Sequence, residues 1–134
     1  MKTATSVRSS MAQALVTAMG AGSASLPKIE IYTGTMPASM GGTITDTLLA
    51  ELEMSVPPAT ESSGVVTLEP VSNDASANAD GTAGWLRILD RAGTEVVYLT
   101  VSLTGGGGEL QLNDTAILTG DPVAVTSGTI TVGQ

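Results

Sequence analysis

"GTAGWLRILDRAGTEVVYLTVSLTGGGGELQLND", residues 81–114, is the stretch that decides the fold. Two segments rich in aliphatic and β-branched residues, 82–90 and 94–103, flank the tripeptide RAG at residues 91–93. A three-residue connection with glycine at the left-handed position is typical of a β-hairpin. The stretch therefore predicts two long antiparallel strands that are joined at Gly93.

Other short segments have the same character and are separated by turn residues. Residues 47–55 alternate in polarity over nine positions, so one face of that strand is expected to be buried and the other mostly exposed. The remaining segments are 28–34, 64–70, 109–113, 123–127 and 129–133. Strands at this spacing, without helical patterns between them, predict an all-β fold, a jelly-roll-like antiparallel β-sandwich over residues 28–134.

The N-terminal segment has a different period. Between residues 6 and 19, apolar side chains recur three and four positions apart, and Gly20 follows them, which predicts a short helix. Residues 1–27 thus form an N-terminal helical arm and linker. So short a helix has to dock its apolar face on something, either on its own domain or on a neighbouring subunit.

Composition excludes several functions. The chain has no cysteine and no histidine, so the usual general base, nucleophile and zinc ligands are missing. The net charge is −8 with only five basic residues, which argues against nucleic-acid binding. No segment approaches the roughly 20 apolar residues of a membrane-spanning helix, and polar residues interrupt the N-terminal segment where a signal peptide would be apolar. We therefore expect no enzyme, no cofactor and no metal site.

Three motifs resemble sites but have simpler interpretations. The glycine run in "TGGGGEL", residues 104–110, lacks the lysine and helix of a phosphate-binding loop and is interpreted as a flexible hairpin tip. The loop "NDASANADG", residues 73–81, offers oxygen ligands without the spacing of a calcium site and is interpreted as a polar turn. Glu51 and Glu53 share one strand face and are expected to be solvated.

The hairpin and the segments around it resemble a family of known proteins. The pattern "LLAELEMS", "GVVTLEP", "GTAGWLRILDRAGTEV" and "ELQLNDTAILTGDPVAVTSGTITV" is similar to small proteins encoded among the head genes of tailed bacteriophages, over roughly residues 28–133. The resemblance implies a capsid cement or decoration protein, which clamps neighbouring major capsid subunits after the shell expands. It places the protein on the outer surface of the virion capsid, and in the host cytoplasm before assembly. A tail- or fibre-associated binding module of the same fold is the alternative.

A clamping role directs attention to side chains that would bind a partner. Apolar residues on one face of the helix and the scarce positive charges are the candidates. These are Arg8, Met11, Leu15, Met19, Arg87 and Arg91. Trp85 has two interpretations, since it is either an exposed anchor or part of a central strand whose second face is covered by a loop or by the helix.

Assembly would also involve other copies of the chain and exposed backbone. We expect a homo-oligomer, with a dimer favoured over a trimer, because closed oligomers bridge symmetry axes. Residues 28–34 are predicted to be an exposed edge strand that pairs with a partner's backbone.

Overall fold

The computed structural model describes residues 1–133. They form one helix and nine strands: α1 Thr5–Met19, β1 Lys28–Thr33, β2 Leu48–Glu53, β3 Ala59–Ser62, β4 Val65–Leu68, β5 Gly81–Leu89, β6 Glu95–Leu103, β7 Leu110–Leu112, β8 Ala116–Ile117 and β9 Val125–Thr131. The helix predicted over residues 6–19 begins one residue earlier and ends as predicted.

All nine strands form one sheet: eight follow the order β2-β1-β5-β6-β7-β9-β4-β3, and β8 joins it by pairing with β5 outside that path. The sheet curls into a half-barrel, so the predicted all-β, jelly-roll-like fold with a short N-terminal helix is confirmed. Among the described residues all strand pairs are antiparallel except β6 and β7.

The central hairpin of β5 and β6 forms as predicted. Gly93 adopts a left-handed backbone with φ of 83°. The Asp90 carboxylate accepts hydrogen bonds from the backbone N–H groups of Ala92 and Thr94, both at 2.9 Å. The turn residues thus fix the register in which Trp85 lies opposite Thr100.

The glycine run does not form a hairpin tip, because it joins two parallel strands. Val101 of β6 pairs with Leu110 of β7 in parallel, so the chain reverses twice within residues 104–109. A Cβ on Gly106 would lie 2.6 Å from the Ser102 hydroxyl oxygen, and one on Gly108 would lie 2.7 Å from the Val101 carbonyl carbon. Glycine is therefore needed at positions 106 and 108 for close packing against β6.

Three other expectations differ from the structure. Residues 28–34 do not form an edge strand, because β1 pairs with both β2 and β5. The two strands predicted at 123–127 and 129–133 are the single strand β9, in which Gly128 is buried against Leu68 and Leu110. The short strands β3 and β8 were not predicted; β3 has four residues and forms a tight hairpin with β4 through Ser63 and Gly64, whereas β8 has two residues and pairs with the distant β5.

The main core lies on one face of the sheet, and α1 contributes to it. Ala12, Val16 and Met19 are buried and belong to the same apolar cluster as the strand residues. The helix contacts β3, β4 and β6. In this structure, then, α1 packs on its own domain, which is one of the two alternatives that its sequence left open.

The outer edge of β2 is closed by the polar loop that follows β4. The backbone N–H of Ser72 donates to the carbonyl of Glu53 at 3.0 Å, and that of Asn78 donates to the carbonyl of Leu49 at 2.8 Å. Between them the Asp74 carboxylate accepts from the backbone N–H of Glu51 at 3.0 Å. The loop substitutes for a neighbouring strand and protects the edge from pairing with other chains.

Candidate functional site

All three aromatic residues of the chain meet on the face of the sheet opposite the main core. Tyr32 lies opposite Trp85 in the pairing of β1 with β5, and their rings stack with centroids 4.8 Å apart and planes inclined by 17°. Tyr98 of β6 lies on the other side of the indole, 4.9 Å away and tilted by 51°. Trp85 is 0% exposed and Tyr32 is 5% exposed, so the cluster is a second, smaller core.

A charged network extends the aromatic cluster along the same strands. Arg87 donates to Glu30 at 2.7 Å and to Glu95 at 3.1 Å, and these are the ion pairs of residues 1–133. The Arg87 guanidinium carbon also lies 5.7 Å from the Tyr32 ring centroid, within the range of a cation–π contact. Tyr98 donates its hydroxyl hydrogen to Glu95.

The pKa values in this network follow from its hydrogen bonds and burial. The hydrogen bond from Tyr98, with a smaller contribution from Arg87, holds the pKa of Glu95 below its usual value. The same bond raises the pKa of Tyr98, and burial beside Glu30 raises that of Tyr32. Burial alone would lower the pKa of Arg87, but its bonds to the two glutamates outweigh this and raise it. All four groups therefore keep their ordinary charge near neutral pH.

Residues 34–47, which we call the strap, cross over the aromatic cluster between β1 and β2. The Asp46 carboxylate accepts a hydrogen bond from the Trp85 indole N–H at 2.9 Å. At the base of the strap, the backbone N–H of Thr33 donates to the carbonyl of Thr47 at 3.0 Å. Met40 at the outer end of the strap is 46% exposed. The strap is thus fixed to the sheet through Trp85 and presents an apolar side chain outward.

Two glycines allow the strap to leave the sheet. Gly34 has a φ of 81°, a left-handed conformation that other residues rarely adopt. Its carbonyl oxygen would lie 1.8 Å from a Cβ on Gly84, so the two backbones cross in contact. A side chain at Gly84 would displace the strap from the aromatic cluster.

The predicted partner-binding residues lie in three separate regions of the structure: the helix, strand β5 and the turn after it. On the helix, Met11 is 44% exposed, Arg8 and Leu15 are partly buried, and Met19 is 0% exposed. The Arg8 Nε atom is buried without a hydrogen-bond partner among residues 1–133.

The other predicted residues lie on β5 and in the turn that follows it. Trp85 is covered by the strap, so the loop-covered interpretation describes it, and Arg87 is engaged with its two glutamates. Arg91 lies in the β5–β6 turn, where its Nε donates to the Ser25 carbonyl at 2.9 Å and the side chain stays partly exposed. Met11 is therefore the most exposed of the predicted residues, and Arg91 keeps part of its side chain accessible.

The part of the cluster that sequence reasoning missed is the strap with Asp46, together with both tyrosines. Trp85 and Arg87 were placed on one face by the two-residue period of a strand. Tyr32 and Tyr98 join them through pairing registers between distant segments, for which the chain offers no local signal. Gly34 and Gly84 are a weak signal, because an isolated glycine within a strand often marks the close approach of another backbone.

Residues 1–133 contain no group of three acidic side chains placed to hold a metal ion. One depression of about 170 Å³ lies between β4 and β9, lined by Leu68 and Val125 among others. A second of about 330 Å³ lies beside β8, around Ile117 and Leu118. The first is smaller than most ligand pockets, which span roughly 300–1,000 Å³, and the second is at the lower end of that range.

No helix within residues 1–133 has the length and apolar character needed to cross a membrane. Comparisons of the chain with protein-family models, with curated proteins and with solved structures found no match.

Proposed function

We propose that the chain is a structural virion protein, a capsid cement or decoration protein of a tailed bacteriophage. It would bind across neighbouring major capsid subunits on the outer surface of the expanded head and stabilise it. The sequence resemblance to phage head proteins supports this role, and so does the absence of cysteine and histidine from the chain.

The observation that carries the proposal is how the polar side chains next to Trp85 are bonded. Arg87, Glu30, Glu95 and Tyr98 bond to one another across β1, β5 and β6, and Asp46 bonds to Trp85 and holds the strap. In an enzyme at least one such group would face a substrate. Here these groups bond to one another, and the strap exposes Met40, which suits a protein that works by contact.

Clamping by such a protein depends on several modest contacts. Arg91, whose side chain bonds only through its Nε atom among residues 1–133, offers its remaining N–H donors to carboxylates of a partner. Each contact is weak, but simultaneous binding to adjacent subunits of the lattice raises the total affinity through a high effective concentration. A homo-oligomer would add further points of attachment.

Binding to shells before and after expansion tests the proposal. The purified protein is mixed with expanded, undecorated shells and, separately, with unexpanded shells, and each sample is sedimented. We expect saturable binding to expanded shells and at least tenfold weaker binding to unexpanded ones. The variant Arg91→Glu should lower the affinity about tenfold or more, while Lys2→Glu, with the same change in charge, should leave it nearly unchanged.

The competing role as a tail- or fibre-associated module predicts a different result. Such a module would ignore both kinds of shell and would bind host-cell surfaces or their glycans. Failure to bind expanded shells at protein concentrations well above those in an infected cell would overturn the cement proposal.

A further inference from the structure

The depression beside β8, which we call the β8 groove, presents apolar surface to solvent. It is lined by Gly81 and Thr82 of β5 and by residues 116–118, and its volume is about 330 Å³. Ile117 is 3% exposed, whereas Leu118 is 59% exposed. Among the large apolar side chains of residues 1–133, only that of Met1 is more exposed than that of Leu118.

The outer edge of β8 has unused backbone groups at this groove. β8 pairs with β5 in antiparallel register, and the backbone N–H of Ala83 donates to the carbonyl of Thr115 at 2.9 Å. Because such bonds alternate along a strand, the carbonyl of Ala116 and the N–H of Leu118 point away from β5. Neither group has a backbone partner among residues 1–133. An extended chain added to this edge can therefore bond to both groups, as in other cases of β-strand addition.

Three carboxylates flank the residues that line the groove. Asp80 accepts hydrogen bonds from the backbone N–H and the hydroxyl of Thr119, at 2.7 and 2.8 Å, and Asp114 accepts one from a backbone N–H of β8 at 2.9 Å. Asp121 lies in the turn that follows Leu118, where its backbone N–H donates to the carbonyl of that residue at 3.0 Å. All three acidic residues are exposed.

No basic residue belongs to segments 80–82 or 114–121, which form the groove and its acidic rim. Along β5, Arg87 is six residues from the start of the strand, or about 20 Å at roughly 3.3 Å per residue. Lys28 and Arg91 lie still farther along that strand or beyond its end. Because charges in water are largely screened beyond roughly 8 Å at physiological ionic strength, these cations do not offset the carboxylates.

We propose that the β8 groove docks an extended segment of another protein, in which an apolar side chain is flanked by lysines or arginines. The apolar side chain covers Leu118, and the flanking cations pair with Asp80, Asp114 and Asp121. The backbone of the segment bonds to the open edge of β8. The carboxylates disfavour nucleic acids and anionic membranes, whose phosphates they repel.

This site goes beyond the capsid role, because it is separate from the strap and from Arg91 and selects a partner surface of the opposite charge. A groove at the lower end of the size range of ligand pockets suits one side chain of a segment better than a whole small molecule. Binding of a basic segment and binding of a capsid shell are measured in separate experiments, so either can fail without the other.

Titration of ¹⁵N-labelled protein with synthetic peptides tests the proposal. The probe has a Val-Leu-Val core with two lysines on each side. One comparison peptide has glutamates in place of the lysines, and a second has serines in place of the core. Amide shifts should concentrate in residues 80–82 and 114–121, and the probe should bind at least tenfold more tightly than either comparison peptide. Raising sodium chloride from about 50 to about 500 mM should weaken its binding several-fold.

Two pairs of variants locate the binding. Leu118→Ser should weaken it about tenfold, whereas Leu26→Ser, at a leucine of the linker that is 40% exposed, should leave it unchanged. Asp121→Asn should weaken it about threefold through loss of charge, since the exposed Asp121 carboxylate makes no hydrogen bond among residues 1–133. Glu53→Gln, which removes an exposed charge from β2, should have no effect. Native Trp85 fluorescence shows that all four variants fold.

Three results would overturn the inference. The first is the absence of amide shifts at millimolar concentrations of the probe. The second is equally tight binding of the peptide with the serine core, which would show that charge alone attracts the segment. The third is that the amides of residues 80–82 and 114–121 shift when the protein is concentrated without peptide, which would show that a second copy of this chain occupies the groove.

Discussion

Replacing Asp46 with alanine removes the hydrogen bond that fixes the strap to the face of the sheet that carries the aromatic cluster. The carboxylate accepts from the indole N–H of Trp85 at 2.9 Å, and the indole is 0% exposed. Without its acceptor the buried N–H is left unsatisfied, at a cost of about 1–3 kcal/mol of folding free energy. Asp46→Ala should therefore lower the free energy of unfolding by about 2 kcal/mol.

The measurement is urea denaturation followed by the fluorescence of Trp85, which is the only tryptophan in the chain. With an m-value of about 1–3 kcal/mol per M, the midpoint should fall by about 1 M. The folded variant should also emit at longer wavelength than the wild type, since a loosened strap admits water to the indole. Asp46→Asn, which retains an oxygen acceptor, should lose less than half as much stability.

Asp121→Ala is the matched control. Asp121 is exposed, and its carboxylate makes no hydrogen bond among residues 1–133, so its removal should change the midpoint very little. The reasoning fails if Asp46→Ala and Asp121→Ala unfold at the same urea concentration with the same emission spectrum. In that case the strap would be held by its backbone and apolar contacts alone.

Three further substitutions test other parts of the structure. Gly84→Ala should prevent folding or cost more than about 4 kcal/mol of folding free energy, because its methyl group would lie 1.8 Å from a backbone oxygen of the strap. Gly107→Ala is the control and should be tolerated, because nothing lies within 4 Å of the added methyl group. Thermal unfolding of both variants tests this. The pKa of Glu95 lies below its usual 4.5 in the folded state, so its contribution to stability is present above about pH 4.5 and is lost as the pH falls through the lowered value. Urea midpoints of wild type and Glu95→Gln should differ most at pH 7, and the difference should shrink as the pH falls below about 4.5; a difference that stays constant throughout the acid range would contradict this. Asp74→Ala should cost about 1–3 kcal/mol of folding free energy and open the edge of β2 to aggregation, which denaturation and light scattering would measure. Asn73→Ala changes an exposed neighbour in the same loop and should be nearly neutral.

Local patterns in the sequence predicted the features of the fold that depend on neighbouring residues. The hairpin at Gly93 follows from turn chemistry, and α1 follows from the spacing of its apolar side chains. The parallel pairing of β6 with β7 could not be predicted, because it depends on how residues 104–109 pack against β6. Gly128 was misread as a turn residue for a similar reason, since the close neighbours that require glycine there come from distant strands.

The candidate site also combines features that follow from the local sequence with features that depend on distant residues. The two-residue period placed Trp85 and Arg87 on one strand face, and the structure keeps them there. Their partners arrive from β1, β6 and the strap, whose registers are set by the whole sheet. Sequence alone therefore left open whether Trp85 is an anchor or a buried residue. Trp85 is buried because residues 34–47 cover it, and those residues carry no strong sequence pattern of their own.

The central claim is that this protein decorates a capsid, and electron cryo-microscopy of expanded, undecorated phage shells mixed with the purified protein tests it most directly. The account predicts ordered density at fixed positions that bridge neighbouring capsid subunits, with the sheet and strap resolved in contact with the shell. Bare shells, with the protein remaining in solution at high concentration, would contradict the claim and favour the tail or fibre role.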